Sequence, residues 1–248
     1  MKAFIGAASV SMALVLAGCG GSEGGNNSSA TAADNTPLKQ VEAPNGDWTL
    51  MVEQTQDGGF RMGNPNAPVK LIEYASLTCP ACAQFSATGS EPLKNKYVKS
   101  GQVSWEFRNL VRDPADLAAV MLTRCQGPQP FFRLTEQLFA NQQTWLGGFS
   151  QVPEAEMQRI QTMPREQQVG AIARAAGLDQ FFRQRGMPEA RINSCLADQQ
   201  GLQSTVALNE VATRDNVQGT PTFLINGEFI QSSADWNALE AELREAIG

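Results

Sequence analysis

Three segments of the chain have the apolar patterns of β-strands. Val69–Ala75, with the sequence VKLIEYA, is a near-continuous apolar run broken by Glu73, which predicts a buried central strand. Residues 103–111, VSWEFRNLV, alternate between apolar and polar side chains, which predicts a second strand with one face less buried. In the segment TPTFLINGEFI, Asn226-Gly227 separates two apolar stretches and predicts a hairpin with a tight type I′ turn.

Between and after these strands the pattern becomes helical. A helix is expected to begin at the CPAC stretch, because Pro80 suits a first helical turn, where its missing N–H costs no hydrogen bond. Pro92 is expected to interrupt that helix. From about residue 112 to 218 we expect a helical block without strands. The chain then ends in an amphipathic helix with one apolar face, formed by Trp236, Leu239, Leu243 and Ile247.

Composition excludes several classes of function. The hydrophobic fraction of 42% and the charged fraction of 18% are those of a globular protein. The net charge is −6 and no run of Lys and Arg occurs, so we expect no nucleic-acid partner. The chain contains no histidine, which excludes a Ser-His-Asp triad, a histidine base and histidine metal ligands.

The first residues have the pattern of an export signal. An apolar run at residues 4–17 is too short to span a bilayer comfortably, and it leads into LAGC, which resembles the lipobox of bacterial lipoproteins. The resemblance implies a signal peptide over residues 1–18 and lipidation of Cys19; the alternative is an ordinary signal peptide. Gly20, in place of an aspartate, favours the outer membrane if the source is Gram-negative. Residues 19–47 are expected to form a flexible tether.

Cys79 and Cys82 are separated by two residues, which allows a metal clip, a structural staple or a working disulfide. Zinc is disfavoured, because two cysteines in a histidine-free chain would need carboxylates or a second subunit to complete the site. A thiol at a helix N-terminus is easily deprotonated, since free N–H groups and the helix dipole stabilise negative charge. An exposed strand-to-helix turn therefore favours redox chemistry, without a metal or organic cofactor.

Cys125 and Cys195 remain, both in the predicted helical block. In an oxidising compartment they are expected to pair as a structural disulfide, which the chain-entropy model values at about 4 kcal/mol at most. The alternative is two separate buried thiols.

Taken together, these motifs resemble the thioredoxin superfamily, and within it the DsbA-like proteins. CPAC follows a strand and opens a helix, GTPTF places a Thr-Pro directly before the hairpin, and a helical insertion separates the two halves. The resemblance implies a thioredoxin-like α/β fold with a helical domain inserted between an N-terminal βαβ half and a C-terminal ββα half. The expected divisions of the folded part are residues 48–111, 112–218 and 219–248.

The resemblance also implies roles for matched residues. Cys79 would be the attacking cysteine and Cys82 the resolving one, and together they would form the redox disulfide. Pro221 would be a cis-proline beside them, and the backbone of Thr220 would pair with the substrate chain. Glu73 matches a buried acidic residue that exchanges a proton with the resolving thiol; the alternative is an edge-facing or salt-bridged carboxylate.

The function expected from this resemblance is oxidation of cysteines in exported unfolded or reduced proteins, with reoxidation by a DsbB-like, quinone-linked membrane oxidoreductase. Pro80-Ala81 offers the thiolate neither charge nor a side-chain hydrogen bond, so we expect a weaker oxidant than DsbA itself, which has Pro-His there. Two alternatives stay open: a reductase or isomerase kept reduced, and a peptide-binding or holdase lipoprotein without redox turnover. We expect a monomer, lipid-anchored at the periplasmic face of the bacterial envelope.

Overall fold

The computed structural model describes residues 37–231 and 234–248. The predicted signal peptide, Cys19 and residues 20–36 of the predicted tether lie outside these ranges. Among the described residues, no helix combines the length and the apolar character needed to cross a membrane. The lipid anchor therefore stays a prediction.

Six strands of the described chain form one mixed sheet: β1 (Val52–Gln54), β2 (Phe60–Gly63), β3 (Val69–Ala75), β4 (Val103–Asn109), β5 (Thr222–Ile225) and β6 (Glu228–Ile230). Their order is β1-β2-β4-β3-β5-β6. The pair β3 and β4 is parallel, and the other pairs are antiparallel. The prediction of β3 as a buried central strand is confirmed, since β4 and β5 flank it and Leu71 is fully buried.

The connection from β3 to β4 is helical, as the crossover between parallel strands requires. Helix α1 (Pro80–Thr88) begins within CPAC as predicted, and it ends before Pro92. The chain continues as a short helix, α2 (Ser90–Pro92), and a π-helical segment, Leu93–Val98. Gly101 then turns the chain into β4 with a φ of 77°, in the region that favours glycine.

Eight helices lie between β4 and β5, where the sequence predicts a helical block. They are α3 (Pro114–Arg124), α4 (Pro128–Ala140), α5 (Gln142–Ser150), α6 (Glu154–Gln161), α7 (Arg165–Ala175), α8 (Leu178–Arg183), α9 (Glu189–Leu196) and α10 (Gln199–Arg214). Helix α11 (Trp236–Ile247) closes the chain, and its predicted apolar face buries Leu239 and Leu243 completely.

The apolar face of β4 joins the sheet to these helices. The ring of Trp105 lies 4.8 Å from that of Phe132 in α4, and the ring of Phe107 lies 5.5 Å from that of Phe131. All four rings are almost completely buried, so burial of their apolar area is a principal favourable term at this contact. The aromatic residues of α4 therefore belong to the core.

The other face of β4 is also buried, so the prediction of a less buried face is wrong. Glu106 and Arg108 are 8% and 6% exposed. The Arg108 guanidinium binds the carboxylates of Glu106, Asp57 and Asp215 at 2.6, 3.0 and 2.9 Å. Because Arg108 pairs with these carboxylates and Arg214 also binds Asp57 and Asp215, α10 and the segment before β2 are able to cover a polar strand face.

The predicted tether extends too far. The Val41 N–H donates to the carbonyl of Ser100 at 2.8 Å, and the carbonyl of Val41 accepts from the Trp48 indole at 2.8 Å. The side-chain amide of Gln102 also donates to the carbonyl of Lys39 at 3.0 Å. Residues 39–47 therefore lie against the folded part, because their backbone groups find partners there.

The Asn226-Gly227 turn has the predicted geometry. Its two residues have φ of 51° and 91°, as a type I′ turn requires, and they join Ile225 to its partner Glu228. The Asn226 side chain also accepts from the Lys70 N–H at 2.9 Å, which attaches the hairpin to β3.

Cys125 and Cys195 are joined by a disulfide. Cys125 follows the last residue of α3, and Cys195 is in α9, 70 residues later in the chain. The bond therefore cross-links two helices of the block that are far apart in sequence.

Candidate active site

The two cysteines of the CPAC stretch lie at the N-terminus of α1. Cys79 is the N-cap residue, with extended backbone angles and no side-chain capping hydrogen bond, and Pro80 is the first helical residue. Both cysteines are free thiols. The expected exposed turn is present only at Pro80 and Ala81, since Cys79 is 4% exposed and Cys82 is fully buried.

The environment of Cys79 favours its thiolate. The pKa of Cys79 is lowered to about 5, first by a hydrogen bond from the Cys82 thiol. The Thr220 side chain and the backbone N–H groups of Cys82 and Ala81 lower the pKa further, while burial raises it. These N–H groups are free because the first turn of a helix has no intrahelical acceptor for them.

Cys82 has the opposite tendency. Its pKa is raised by the hydrogen bond that it donates to Cys79, by burial, and by the nearby negative charges of Cys79 and Glu73. A hydrogen bond from the Ser76 backbone lowers the pKa of Cys82 and opposes these effects. The outer sulfur is therefore ionised at neutral pH while the inner one keeps its proton, and a nucleophilic thiolate lies beside a thiol that it can later bond.

The segment before β5 forms the other side of the site. The Thr220-Pro221 peptide bond is cis, and the Thr220 carbonyl oxygen lies 3.2 Å from the Cys79 sulfur, which donates a hydrogen bond to it when the thiol is protonated. Residues 220 and 221 reach this position because β5 pairs with β3, with Thr222 opposite Tyr74 near the end of β3 that leads to Cys79.

Glu73 lies in the middle of the sheet, between Phe107 of β4 and Phe223 of β5. It is 1% exposed, and its carboxylate accepts from the Trp105 indole at 3.0 Å. Burial raises the pKa of Glu73 to about 8, against the opposing effect of that hydrogen bond. Neither alternative for Glu73 applies, because it is not on an edge strand and no ion pair of the described residues includes it.

The segment from Ser76 to Cys79 is held by two elements of the helical block. From α3, the Asp116 carboxylate accepts from the Ser76 hydroxyl at 2.6 Å and from the Leu77 N–H at 2.9 Å. From α5, the Gln142 side-chain amide donates to the carbonyls of Leu77 and Cys79 at 2.8 and 2.9 Å. The site is therefore built jointly by the sheet and the inserted helices.

A groove of about 820 Å³ borders Pro80, between α1 and the junction of α4 with α5. Its walls carry uncharged polar side chains, including Gln84, Asn141 and Gln143. Lys94 and Glu136, which pair at 2.8 Å, also line it. Within the described ranges no cluster of three or more Asp, Glu or Cys side chains could hold a metal ion.

Comparisons with known proteins agree with this geometry. A family model described as Thioredoxin matches residues 55–245. The chain belongs to the thioredoxin superfamily. The thioredoxin-like fold predicted from the CPAC, Thr-Pro and insertion pattern is thereby confirmed.

One solved structure, titled a protein-disulfide isomerase from Novosphingobium aromaticivorans, is 31% identical. It matches 76% of this chain and 96% of its own, with a TM-score of 0.71. Wolbachia pipientis alpha-DsbA1 is 20% identical over 76% of this chain and 90% of its own, with a TM-score of 0.60, and supports the fold alone.

Among curated sequences, a Rickettsia felis protein named "Putative protein-disulfide oxidoreductase" is 24% identical over 82% of this chain. The chain spans 65% of the length of that relative. Bacillus subtilis disulfide bond formation protein D is 21% identical over 75% of this chain and 76% of its own length.

Two polar residues of the site, Asp116 and Gln142, were not found from the sequence. The sequence around the start of α3 has the pattern of a helix N-terminus: Asp113 is the N-cap, Pro114 follows it, and Asp116 comes three residues after the cap. The Asp113 side chain accepts from the Asp116 N–H at 2.9 Å. That pattern gives no sign that Asp116 also binds residues 76 and 77. Gln142 has no local signal at all, because both of its partners are more than 60 residues earlier in the chain.

The buried Glu73 carboxyl predicts a pH dependence of stability. The pKa of Glu73 is about 8 in the folded protein against an ordinary value of 4.5, so between these pH values the folded state holds a proton that the unfolded state has lost. Stability should therefore fall by about 1.4 kcal/mol per pH unit as pH rises between these two values, with no further loss above pH 8. We expect Glu73→Gln to remove this contribution, so that the variant gains stability over the parent as pH rises.

Urea unfolding of the reduced protein, measured at several pH values between about 5 and 8, checks this expectation. Other titrating groups contribute to both proteins and cancel in the difference. Glu210→Gln, at an exposed position in α10, is the matched control and should follow the parent. Equal pH slopes for Glu73→Gln and the parent would contradict the assignment.

Proposed function

We propose that this protein is a cell-envelope thiol:disulfide oxidoreductase that oxidises cysteines of exported proteins through a mixed disulfide at Cys79. The observation that carries the proposal is the placement of Cys79 at the N-terminus of α1, with Cys82 in the same first turn and the cis Thr220-Pro221 bond beside it. The Thr220 carbonyl, 3.2 Å from the Cys79 sulfur, offers a backbone acceptor to an extended client chain beside the reacting atom.

The reaction starts from the Cys79–Cys82 disulfide. A client thiolate attacks the Cys79 sulfur, forms a client–Cys79 disulfide and releases Cys82 as a thiolate. A second client thiolate then attacks the client sulfur of this mixed disulfide, which gives the client disulfide and the Cys79 thiolate. Two electrons pass from the client to the enzyme, and reoxidation by a quinone-linked membrane partner resembling DsbB removes them.

Glu73 is assigned the proton transfer at Cys82. When Cys82 leaves as a thiolate, its environment favours the protonated form, and the Glu73 carboxyl supplies the proton. During reoxidation the carboxylate takes the proton back. A pKa of about 8 suits both directions near neutral pH, because neither form of the carboxyl is strongly disfavoured.

The lowered pKa of Cys79 favours the oxidising direction. A stabilised thiolate stabilises the reduced enzyme, and the disulfide is then a stronger oxidant. The exposed side chains of Pro80 and Ala81 add no further stabilisation of the thiolate, which sets the expected potential below that of a Pro-His enzyme. The Cys125–Cys195 disulfide is assigned a structural role, since 70 residues separate its cysteines.

The second candidate is a disulfide isomerase or reductase. It is favoured by the 31% identity to the Novosphingobium aromaticivorans structure, whose title names an isomerase. The two candidates differ in the state that the cell maintains, because an oxidase is stored as a disulfide and an isomerase as a dithiol.

Substitutions of the two cysteines test for redox turnover. We expect Cys79→Ala to abolish insulin reduction and peptide oxidation, because the nucleophile is lost. Cys82→Ala should accumulate a mixed disulfide with insulin, since no second thiol releases the bound chain. Thr88→Ala, at the exposed last residue of α1, is the matched control. A parent protein that neither reduces insulin nor oxidises the peptide would instead favour the third candidate, a peptide-binding lipoprotein without redox turnover.

The redox state of Cys79 and Cys82 in growing cells separates the first two candidates. Acid quenching followed by alkylation and a gel shift should find the pair mostly oxidised. A mostly reduced pair would overturn the oxidase and support the isomerase or reductase. The variant Cys79→Ala/Cys82→Ala provides the reference band for a protein with no alkylated thiol in its folded part, because Cys125 and Cys195 are bonded to each other.

Cys19 is proposed to carry the lipid anchor at the periplasmic face, with the outer membrane favoured. We expect the parent protein to sediment with membranes and to incorporate labelled palmitate, whereas Cys19→Ser should do neither, because the acylated sulfur is lost. Membrane association that survives Cys19→Ser would contradict lipidation at this residue.

A further inference from the structure

The turn that carries Cys79 is fixed by a side chain from a distant helix. Gln142 is the first residue of α5 and is 5% exposed. It donates to the Leu77 carbonyl at 2.8 Å and to the Cys79 carbonyl at 2.9 Å. One buried amide group thus binds the backbone on both sides of Thr78.

These two carbonyls need partners. Leu77 and Cys79 are buried, and a buried carbonyl without a hydrogen-bond partner destabilises the folded state. The Cys79 carbonyl also accepts from the Ala83 N–H at 3.1 Å, which is the first hydrogen bond of α1. Gln142 therefore acts on the peptide group at which the helix begins.

The orientation of this peptide group matters for the sulfur. Cys79 makes no side-chain capping bond of its own, so its conformation depends on its neighbours. Its sulfur lies at the N-terminus of α1, and the backbone N–H groups of Ala81 and Cys82 in the first turn lower the pKa of Cys79. A change in the turn would move the sulfur relative to these donors and relative to the Cys82 thiol.

We propose that Gln142 is a positioning residue for Cys79: by donating both amide hydrogens to the Leu77 and Cys79 carbonyls, it fixes the turn that holds the Cys79 sulfur against the N–H groups of α1.

A glutamine suits this role chemically. Its NH₂ group has two donors, which match two carbonyl acceptors. The amide is neutral, so it adds no charge near a sulfur that becomes negative. A glutamate would place a third acceptor against the two carbonyls, and its charge would repel the thiolate.

The proposal rests on the proposed function, and its test is separate from it. Gln142→Met keeps the length and neutrality of the side chain and removes both donors. Gln142→Asn keeps the amide but is one methylene shorter, so it reaches at most one carbonyl. Gln161→Met, at the exposed last residue of α6, is the matched control.

Two properties of the full-length protein are measured. The first is the pKa of Cys79 in the reduced protein, from thiolate absorbance. The second is the equilibrium constant between the Cys79–Cys82 disulfide and the dithiol in a glutathione buffer. We expect Gln142→Met to raise the pKa of Cys79 by about one unit. The disulfide should then be about tenfold less oxidising, which is about 30 mV in potential. Gln142→Asn should give a smaller shift of the same sign, and Gln161→Met none.

A purely structural role predicts a different result. In that case Gln142→Met would lower the melting temperature and leave the pKa of Cys79 and the equilibrium constant unchanged, which would overturn the proposal. If Gln142→Met does not fold, Gln142→Asn decides by the same two measurements. A parent protein that titrates as described but exchanges no disulfide with clients would refute the proposed function and leave the positioning role intact.

Discussion

The parallel pairing of β3 with β4 is the constraint on which the site depends. Two parallel strands end at the same edge of the sheet, and the crossover helix α1 must begin at that edge. Cys79 is there because it is the residue at which the crossover turns into a helix. The helical block leaves β4 from the same edge, which explains how α3 and α5 reach the segment before Cys79. Since β5 runs antiparallel to β3, it starts at this edge and brings Thr220 to the sulfur.

The chemistry of the site is obtained at a cost in stability. Glu73 and Asp116 are both buried, and burial raises their pKa values to about 8 and about 7. Each unit of such a shift represents about 1.4 kcal/mol against the charged form. On the opposite face of the sheet, Arg108 is buried at similar depth, but three carboxylates bind it. No ion pair among the described residues gives Glu73 a cation. Glu73 can therefore take up or lose a proton near neutral pH, whereas Arg108 stays charged and contributes to packing.

Much of the fold was predictable because its signals are local. The apolar run of β3, the Asn226-Gly227 turn and the proline at the start of α1 each specify an element within a few residues. The strands β1 and β2 were missed, since they have three and four residues and neither is long enough to establish an alternating pattern. The burial of the polar face of β4 was missed for another reason: it depends on Asp57 and Asp215, which are far from Arg108 in the chain.

The same distinction applies to the site. Cys79, Cys82 and the Thr220-Pro221 pair are recognisable because they belong to short motifs, while Gln142 contacts them only through the tertiary fold.

The disulfide between α3 and α9 has a consequence for a protein that is proposed to exchange such bonds. A thiolate breaks a disulfide only when it can reach one of the two sulfurs along the axis of the bond. Cys195 is 1% exposed, whereas Cys125 is only partly buried. The bond that joins the two helices is therefore covered on the Cys195 side, and an attacking thiolate has to approach it at Cys125.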